Sequence, residues 1–256
     1  MLNITSAQLD LWLATLMFPM VRVLAFISSS PIIGNKQVPK RVKVGLAILL
    51  AIVIAPTLNP MPAVAIGSPQ GLLIVVQQII IGTAMGLTLR MIFNAFEMAG
   101  ELAGLQMGLG FASFYDPQNA SYSPVIAQWL GITASLAFLA LNGHLIIISA
   151  LAESFHTLPV GEMMPAKGYY SVAAWGGNIF SYGVQIALPI LAALLITNLA
   201  LGILTRAAQQ LNPFAIGFPI TLGIGFFILS FTLPYLPALL EHVMQDSVDS
   251  ALSLLK

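Results

Sequence analysis

The stretch Glu97–Pro124, E-M-A-G-E-L-A-G-L-Q-M-G-L-G-F-A-S-F-Y-D-P-Q-N-A-S-Y-S-P, decides the fold. Its first half has a helical pattern, with Gly100, Gly104 and Gly108 recurring every four residues. That spacing lines one helix face with hydrogen atoms only and lets another backbone approach closely. Glu97 and Glu101, also four apart, put two carboxylates on a neighbouring face. The second half drops the helical period. Phe111, Phe114 and Tyr115 precede Asp116-Pro117, a turn opener, and small polar residues continue to Pro124. Long apolar runs lie on both sides. An acidic, glycine-striped helix that leads into an aromatic loop is not placed facing lipid.

The rest of the chain is of membrane type. Of its 256 residues 58% are hydrophobic and 7% charged, against about 25% charged in an ordinary soluble domain. Mean hydropathy is +0.94. So little polar surface cannot cover a water-soluble globule, and the class is integral membrane, all-α. Nine basic and nine acidic residues give zero net charge, which argues against nucleic acid as a partner because phosphate binding needs a basic surface. There is no cysteine, so disulfides and thiolate chemistry are excluded. The N-terminus lacks the basic leader and small-residue cleavage site of a secretory signal, and the first helix is expected to stay in the mature protein.

Outward from the central stretch, the segments follow from apolar runs and breakers. Thr5 and Gln8 fit a capping box for a helix to about Ser28, interrupted by Pro19 and Arg22, with Trp12 as an interfacial anchor. The next loop holds Lys36, Lys40, Arg41 and Lys43, four of the nine basic residues. By the positive-inside rule this loop is cytoplasmic and the N-terminus outside. Further spans are expected at about 44–55 (continuing weakly to Ile66), 72–93, 125–151, 183–204 and 213–236. A short helix near 171–182 and breaks at Gly176-Gly177 and Pro189 complete the pattern. The tail puts Met244, Val248, Ala251 or Leu252, and Leu255 on one face, and reads as a short amphipathic helix. One domain is expected: N-terminal helices over 1–96, the glycine-rich helix and its loop over 97–124, C-terminal helices over 125–240, and the amphipathic tail over 241–256.

No chemistry-bearing motif stands out. His144, His156 and His242 lie at no helical spacing from one another, and neither a zinc-protease helix nor a phosphate-cradling glycine loop is present. Gly108-Leu109-Gly110 resembles the start of an aspartyl intramembrane protease motif, but Phe111 stands where the acid is required. No cofactor is implied. The charges in apolar surroundings are Arg22, Arg90, Glu97, Glu101 and Arg206. Each would cost about 2.5–3.5 kcal/mol at a bilayer centre, far above the gain from neighbouring leucines. They are read either as assembly glue, Arg90 pairing with Glu97 or Glu101, or as the lining of an ion or proton route. Phe111 and Phe114 likewise either fill a core or close a channel by dewetting. Gly108 and Gly110 would give such a plug its hinge.

Several words of the sequence then coincide with a known family. R-V-L-A-F-I-S-S-S-P-I-I (22–33), V-P-K-R-V-K-V-G-L-A (38–47), E-L-A-G-L-Q-M-G-L-G-F-A-S-F-Y-D-P (101–117), L-N-G-H-L (141–145), F-H-T-L-P-V-G (155–161), N-L-A-L-G-I-L-T-R (198–206) and I-G-F-P-I-T-L (216–222) resemble the FliR family of flagellar type III export-gate proteins. They occur in order and cover the chain nearly end to end, and virulence-secretion relatives match them less closely. The resemblance implies a non-enzymatic gate subunit in the bacterial inner membrane, at the flagellar basal body. It implies assembly with the family's P and Q membrane proteins, proximity to flagellar switch and export proteins, contact with membrane lipids, and passage of unfolded flagellar substrates. It also implies that the loop after the glycine-rich helix plugs the pore, which falls on Gly108, Gly110, Phe111, Phe114, Tyr115 and Asp116. In the family such apolar hairpins can be lifted largely out of the bilayer by their partners. The rival readings are a virulence-secretion gate subunit, a secondary transporter with a broken helix at its midplane, and an intramembrane enzyme, for which no complete catalytic set is present.

Overall fold

The apolar runs become helices in the computed structural model, which describes residues 6–58, 61–62, 64–111, 124–208, 210 and 212–256; the side chains of 6–11, 111, 213 and 214 fall outside that description. In chain order the described α-helices are α1 (Ser6–Ser29), α2 (Lys40–Ile54), α3 (Pro69–Gln106), α4 (Val125–Ala140), α5 (Gly143–Thr157), α6 (Ala166–Trp175), α7 (Asn178–Ala207), α8 (Pro213–Thr232) and α9 (Leu236–Ser253). No strand occurs among the described residues.

Four stretches are long and apolar enough to cross a membrane: Trp12–Ser29, Pro69–Gln106, Ala166–Ala207 and Ala215–Ser253. The bent pair α4–α5 makes a fifth if it is one span. Two expectations change here. The span expected near 44–55 is α2, whose 15 residues rise about 22 Å, short of the roughly 30 Å hydrocarbon core. The span expected over 125–151 is broken by 72° between α4 and α5. The break sits at Asn142, whose φ of 54° and ψ of 28° are left-handed, a conformation that Asn tolerates better than most side chains. Gly176-Gly177 does separate α6 from α7, while Pro189 lies inside α7.

The third span and the glycine-striped helix are one element, the 38-residue α3. At 1.5 Å per residue it is about 57 Å long, nearly twice the hydrocarbon thickness. Nothing in its interior breaks it: glycine costs only about 1 kcal/mol in a helix, and no proline interrupts it before Gln106.

The chain forms two compact units, residues 1–91 with 142–176 and 244–256, and residues 92–141 with 177–243. In the first, α1 and α2 form a hairpin, and α3 lies against α1 through Gly82 and Gly86. A methyl group on Gly82 would stand 2.9 Å from the Ala25 Cβ, and one on Gly86 2.7 Å from the Phe26 carbonyl. Backbone therefore touches backbone, which small residues alone permit. Ala14, Phe18 and Ile74 form a small buried cluster, covered by Ile66, Val75 and Val160. In the second unit, Ala103, Met107, Ile126, Ile190, Leu194 and Leu229 form the core, drawn from α3, α4, α7 and α8 and the turn after α3. The chain's last helix, α9, buries Met244 and Ala251 and leaves Glu241 and Asp249 exposed.

Candidate functional site

The second unit holds the described part of the site, the C-terminal half of α3 and what anchors it. Gly100 is its closest contact. A Cβ there would lie 2.7 Å from both the Ala127 nitrogen and the Ile126 carbonyl oxygen of α4. At Gly104 the same atom would meet only side chains, Ile126 at 3.7 Å and Leu109 at 3.9 Å, ordinary van der Waals distances. The third glycine differs in kind. α3 ends at Gln106, and Gly108 has a φ of 86°, so it terminates the helix instead of extending its glycine face. Its N–H donates to the Leu105 carbonyl at 3.0 Å. Left-handed glycine is the common way to stop a helix because it has no Cβ to clash.

Beyond that stop the chain is tied down. Thr221 of α8 donates its hydroxyl to the Met107 carbonyl at 3.2 Å, and the Met107 side chain is fully buried. Leu109 packs on the same core, to which Ile126 of α4 also belongs. The two roots of the segment between α3 and α4 therefore share one apolar cluster. Phe114, Tyr115 and Asp116 lie outside the described residues, as does the side chain of Phe111.

Glu97, Glu101 and Leu105 are all exposed on α3, and a spacing of four puts them in one stripe. A methyl group on Gly131 of α4 would stand 3.2 Å from the Glu97 Cγ. Arg90 is exposed too, and no ion pair joins it to Glu97 or Glu101 among the described residues. Seven residues of helix separate Arg90 from Glu97, about 10 Å along the axis, whereas side-chain pairs on a helix form at three or four residues. Arg206 is exposed at the end of α7. Of the four cations expected in one loop, Lys36 lies in the loop, while Lys40, Arg41 and Lys43 lie in the first turn of α2. Lys36, Lys40 and Arg41 are exposed, and Lys43 Nζ donates to the Gly34 carbonyl at 2.9 Å.

Arg22 stands apart: it is the singled-out charge that the chain itself buries, at 0% exposure in the first unit. Its Nε donates to Gln78 Oε1 at 2.7 Å, and its Nη1 to the Ser154 carbonyl at 2.9 Å. Nη2 donates to the Leu158 carbonyl, and the Phe155 ring centroid lies 4.2 Å from Cζ. No sequence pattern points to Gln78, Ser154 or Leu158 as its partners. The glycines at 82 and 86, by contrast, carry a four-residue repeat like that of Gly100 and Gly104. Among the described residues no group of three His, Asp or Glu is placed to hold a metal ion.

With this geometry in view, a family model described as Bacterial export proteins, family 1, matches residues 13–247. The chain belongs to this family. The flagellar biosynthetic protein FliR of Escherichia coli (strain K12) is 44% identical over 247 residues, covering 96% of this chain and 94% of the relative. FliR of Pectobacterium carotovorum subsp. carotovorum is 42% identical over 250 residues, covering 97% and 95%. FliR of Bacillus subtilis (strain 168) is 28% identical over 254 residues, covering 98% and 97%. The family match thus takes in the glycine-rich half of α3, the basic loop and the Arg22 cluster alike.

Proposed function

We propose that this chain is a non-enzymatic subunit of the flagellar type III protein export gate. It would build, with the gate's P and Q membrane proteins, the channel through which unfolded flagellar proteins leave the cell. Membership of the bacterial export family, with FliR relatives matched over nearly their whole length, supports the assignment. The observation that carries the gate role is the stripe of α3: Glu97 and Glu101 exposed beside Leu105, itself 52% exposed. Lipid rejects the carboxylates, at about 2.5–3.5 kcal/mol each near a bilayer centre on insertion scales, and water gains nothing from the leucine. Val125, Ile132 and Leu136 of α4 are exposed as well. Neighbouring protein chains, whose polar groups meet the carboxylates and whose apolar groups meet the rest, satisfy both demands.

In this reading the segment Gly108–Asp116 closes the pore with Phe111, Phe114 and Tyr115. Its anchored roots favour that role: a stopper must be held by a frame that does not move with it. The chain would sit in the bacterial inner membrane at the flagellar basal body, near the switch and export proteins. The test is a tagged full chain purified in mild detergent, with identification of co-purifying membrane proteins and ion permeability measured on the reconstituted assembly. Phe111→Ala with Phe114→Ala should make the assembly leak. A normal complex with unchanged permeability would refute the plug. A chain that purifies alone, folded and transporting ions, would refute the gate.

A further inference from the structure

Four cations fall within residues 36–43, and no acidic residue occurs between Asp10 and Glu97. The fold uses one of the four internally, because Lys43 Nζ holds the Gly34 carbonyl at 2.9 Å and so closes the loop between α1 and α2. Lys36, Lys40 and Arg41 remain exposed, and none has an ion pair among the described residues. Lys40 and Arg41 also open α2, where the helix dipole is positive, an arrangement that is unfavourable unless negative charge arrives from outside.

The outer face of α2 continues from this basic collar without a polar residue. Val44, Ile48, Leu49, Ile52 and Val53 are exposed, Val53 at 64%, while Ala47, Ala51 and Ile54 are buried. A helix about 22 Å long, charged at one end and bare of polar groups along its outer face, is too short to reach the far headgroups. It has the length to enter one leaflet and stop.

We propose that Lys36, Lys40 and Arg41 form a binding site for anionic phospholipid headgroups, with the outer face of α2 lying among the acyl chains of the same leaflet. Charge complementarity selects the occupant. A zwitterionic surface leaves the collar unbalanced, whereas an anionic leaflet attracts each juxtamembrane cation and accepts the apolar face beside it. The site stands independently of the export role.

The absence of cysteine makes the test clean. A fluorophore is placed on Val53→Cys in the full chain, in nanodiscs of phosphatidylcholine with or without phosphatidylglycerol. Brominated acyl chains should quench it and aqueous iodide should not. Native mass spectrometry should find phosphatidylglycerol retained in preference to phosphatidylcholine. Retention should fall about fivefold for each of Lys36→Gln, Lys40→Gln and Arg41→Gln. Lys256→Gln, which removes a charge elsewhere, should leave retention unchanged. Quenching by iodide alone, equal retention of the two lipids, or an equal fall in Lys256→Gln would each overturn the site. So would a label shielded from both quenchers only when other membrane proteins co-purify, which would give the surface to a protein partner.

Discussion

Arg22 Nη2 and the Leu158 carbonyl oxygen lie 2.9 Å apart, although the two residues are separated by 136 positions. Leu158 follows the last residue of α5, and Ser154 in its last turn accepts from the same guanidinium. The Ser154 carbonyl also accepts the Leu158 N–H at 3.0 Å, so Arg22 is its second donor. The carbonyls beyond it have no partners within the helix and carry the negative end of its dipole. Arg22 therefore closes α5 from α1, and the helix end takes the place of a carboxylate. Gln78 fixes the guanidinium from α3.

Replacing Arg22 should be costly for this reason. Arg22→Ala takes the donor from Gln78 Oε1 and the Leu158 carbonyl, leaves the Ser154 carbonyl only the Leu158 N–H, and opens a void, a loss of about 3 kcal/mol or more. Arg22→Lys keeps a charge but cannot reach three acceptors at once and should recover part of that loss. Thermal unfolding of the detergent-solubilised chain gives the order: wild type, then Lys, then Ala. Equal midpoints for all three would remove the capping role.

The two glycines of α3 that face α4 should respond differently to the same change. Gly100→Ala forces a methyl group onto the Ala127 and Ile126 backbones, which cannot rotate away, and should cost about 1–3 kcal/mol. Gly104→Ala meets the Ile126 and Leu109 side chains at 3.7 and 3.9 Å and should be neutral or slightly stabilising, since alanine is the better helix former. Protease resistance of the two variants in detergent should separate them. Equal sensitivity would mean that the α3–α4 crossing is looser than the distances imply.

Asn142 makes the bend between α4 and α5 with a left-handed backbone. Asn142→Gly should leave stability near wild type. Asn142→Val should lose about 1–2 kcal/mol, because a β-branched side chain clashes in that conformation. If valine is tolerated as well as glycine, α4 and α5 join as a straight helix in solution, which the distance between labels at Val125 and Thr157 would reveal.

The all-α class, the break at Gly176-Gly177 and most helix positions were legible because they follow from local signals: apolar runs and helix breakers. Asn142-Gly143 is also a local turn signal, but it is buried in a long apolar run that reads as one span. Gly100, Gly104 and Gly108 look equivalent at their spacing of four. Only the crossing with α4 and the helix stop distinguish them as a tight contact, an ordinary contact and a terminator. Arg22 was conspicuous as a charge in an apolar stretch, yet Gln78, Ser154 and Leu158 lie 56, 132 and 136 residues away. No periodicity encodes that meeting; it is a product of the tertiary fold.

Glu97 and Glu101 supply the last prediction, which separates fold from assembly. Both are exposed on the single chain, without an ion pair among the described residues. Replacing both with alanine removes little that this chain uses, so its unfolding midpoint in detergent should hold or rise, alanine being the better helix former. Neighbouring subunits would lose two carboxylates from the centre of a desolvated contact, where a partner's cation left unmatched is expensive. Co-purification of the partner proteins should therefore fall while the chain itself stays folded. Intact complexes that fail to export would reassign the pair to an ion route. If the isolated chain unfolded instead, the carboxylates would be holding together its own helices and would not be a contact for partner subunits.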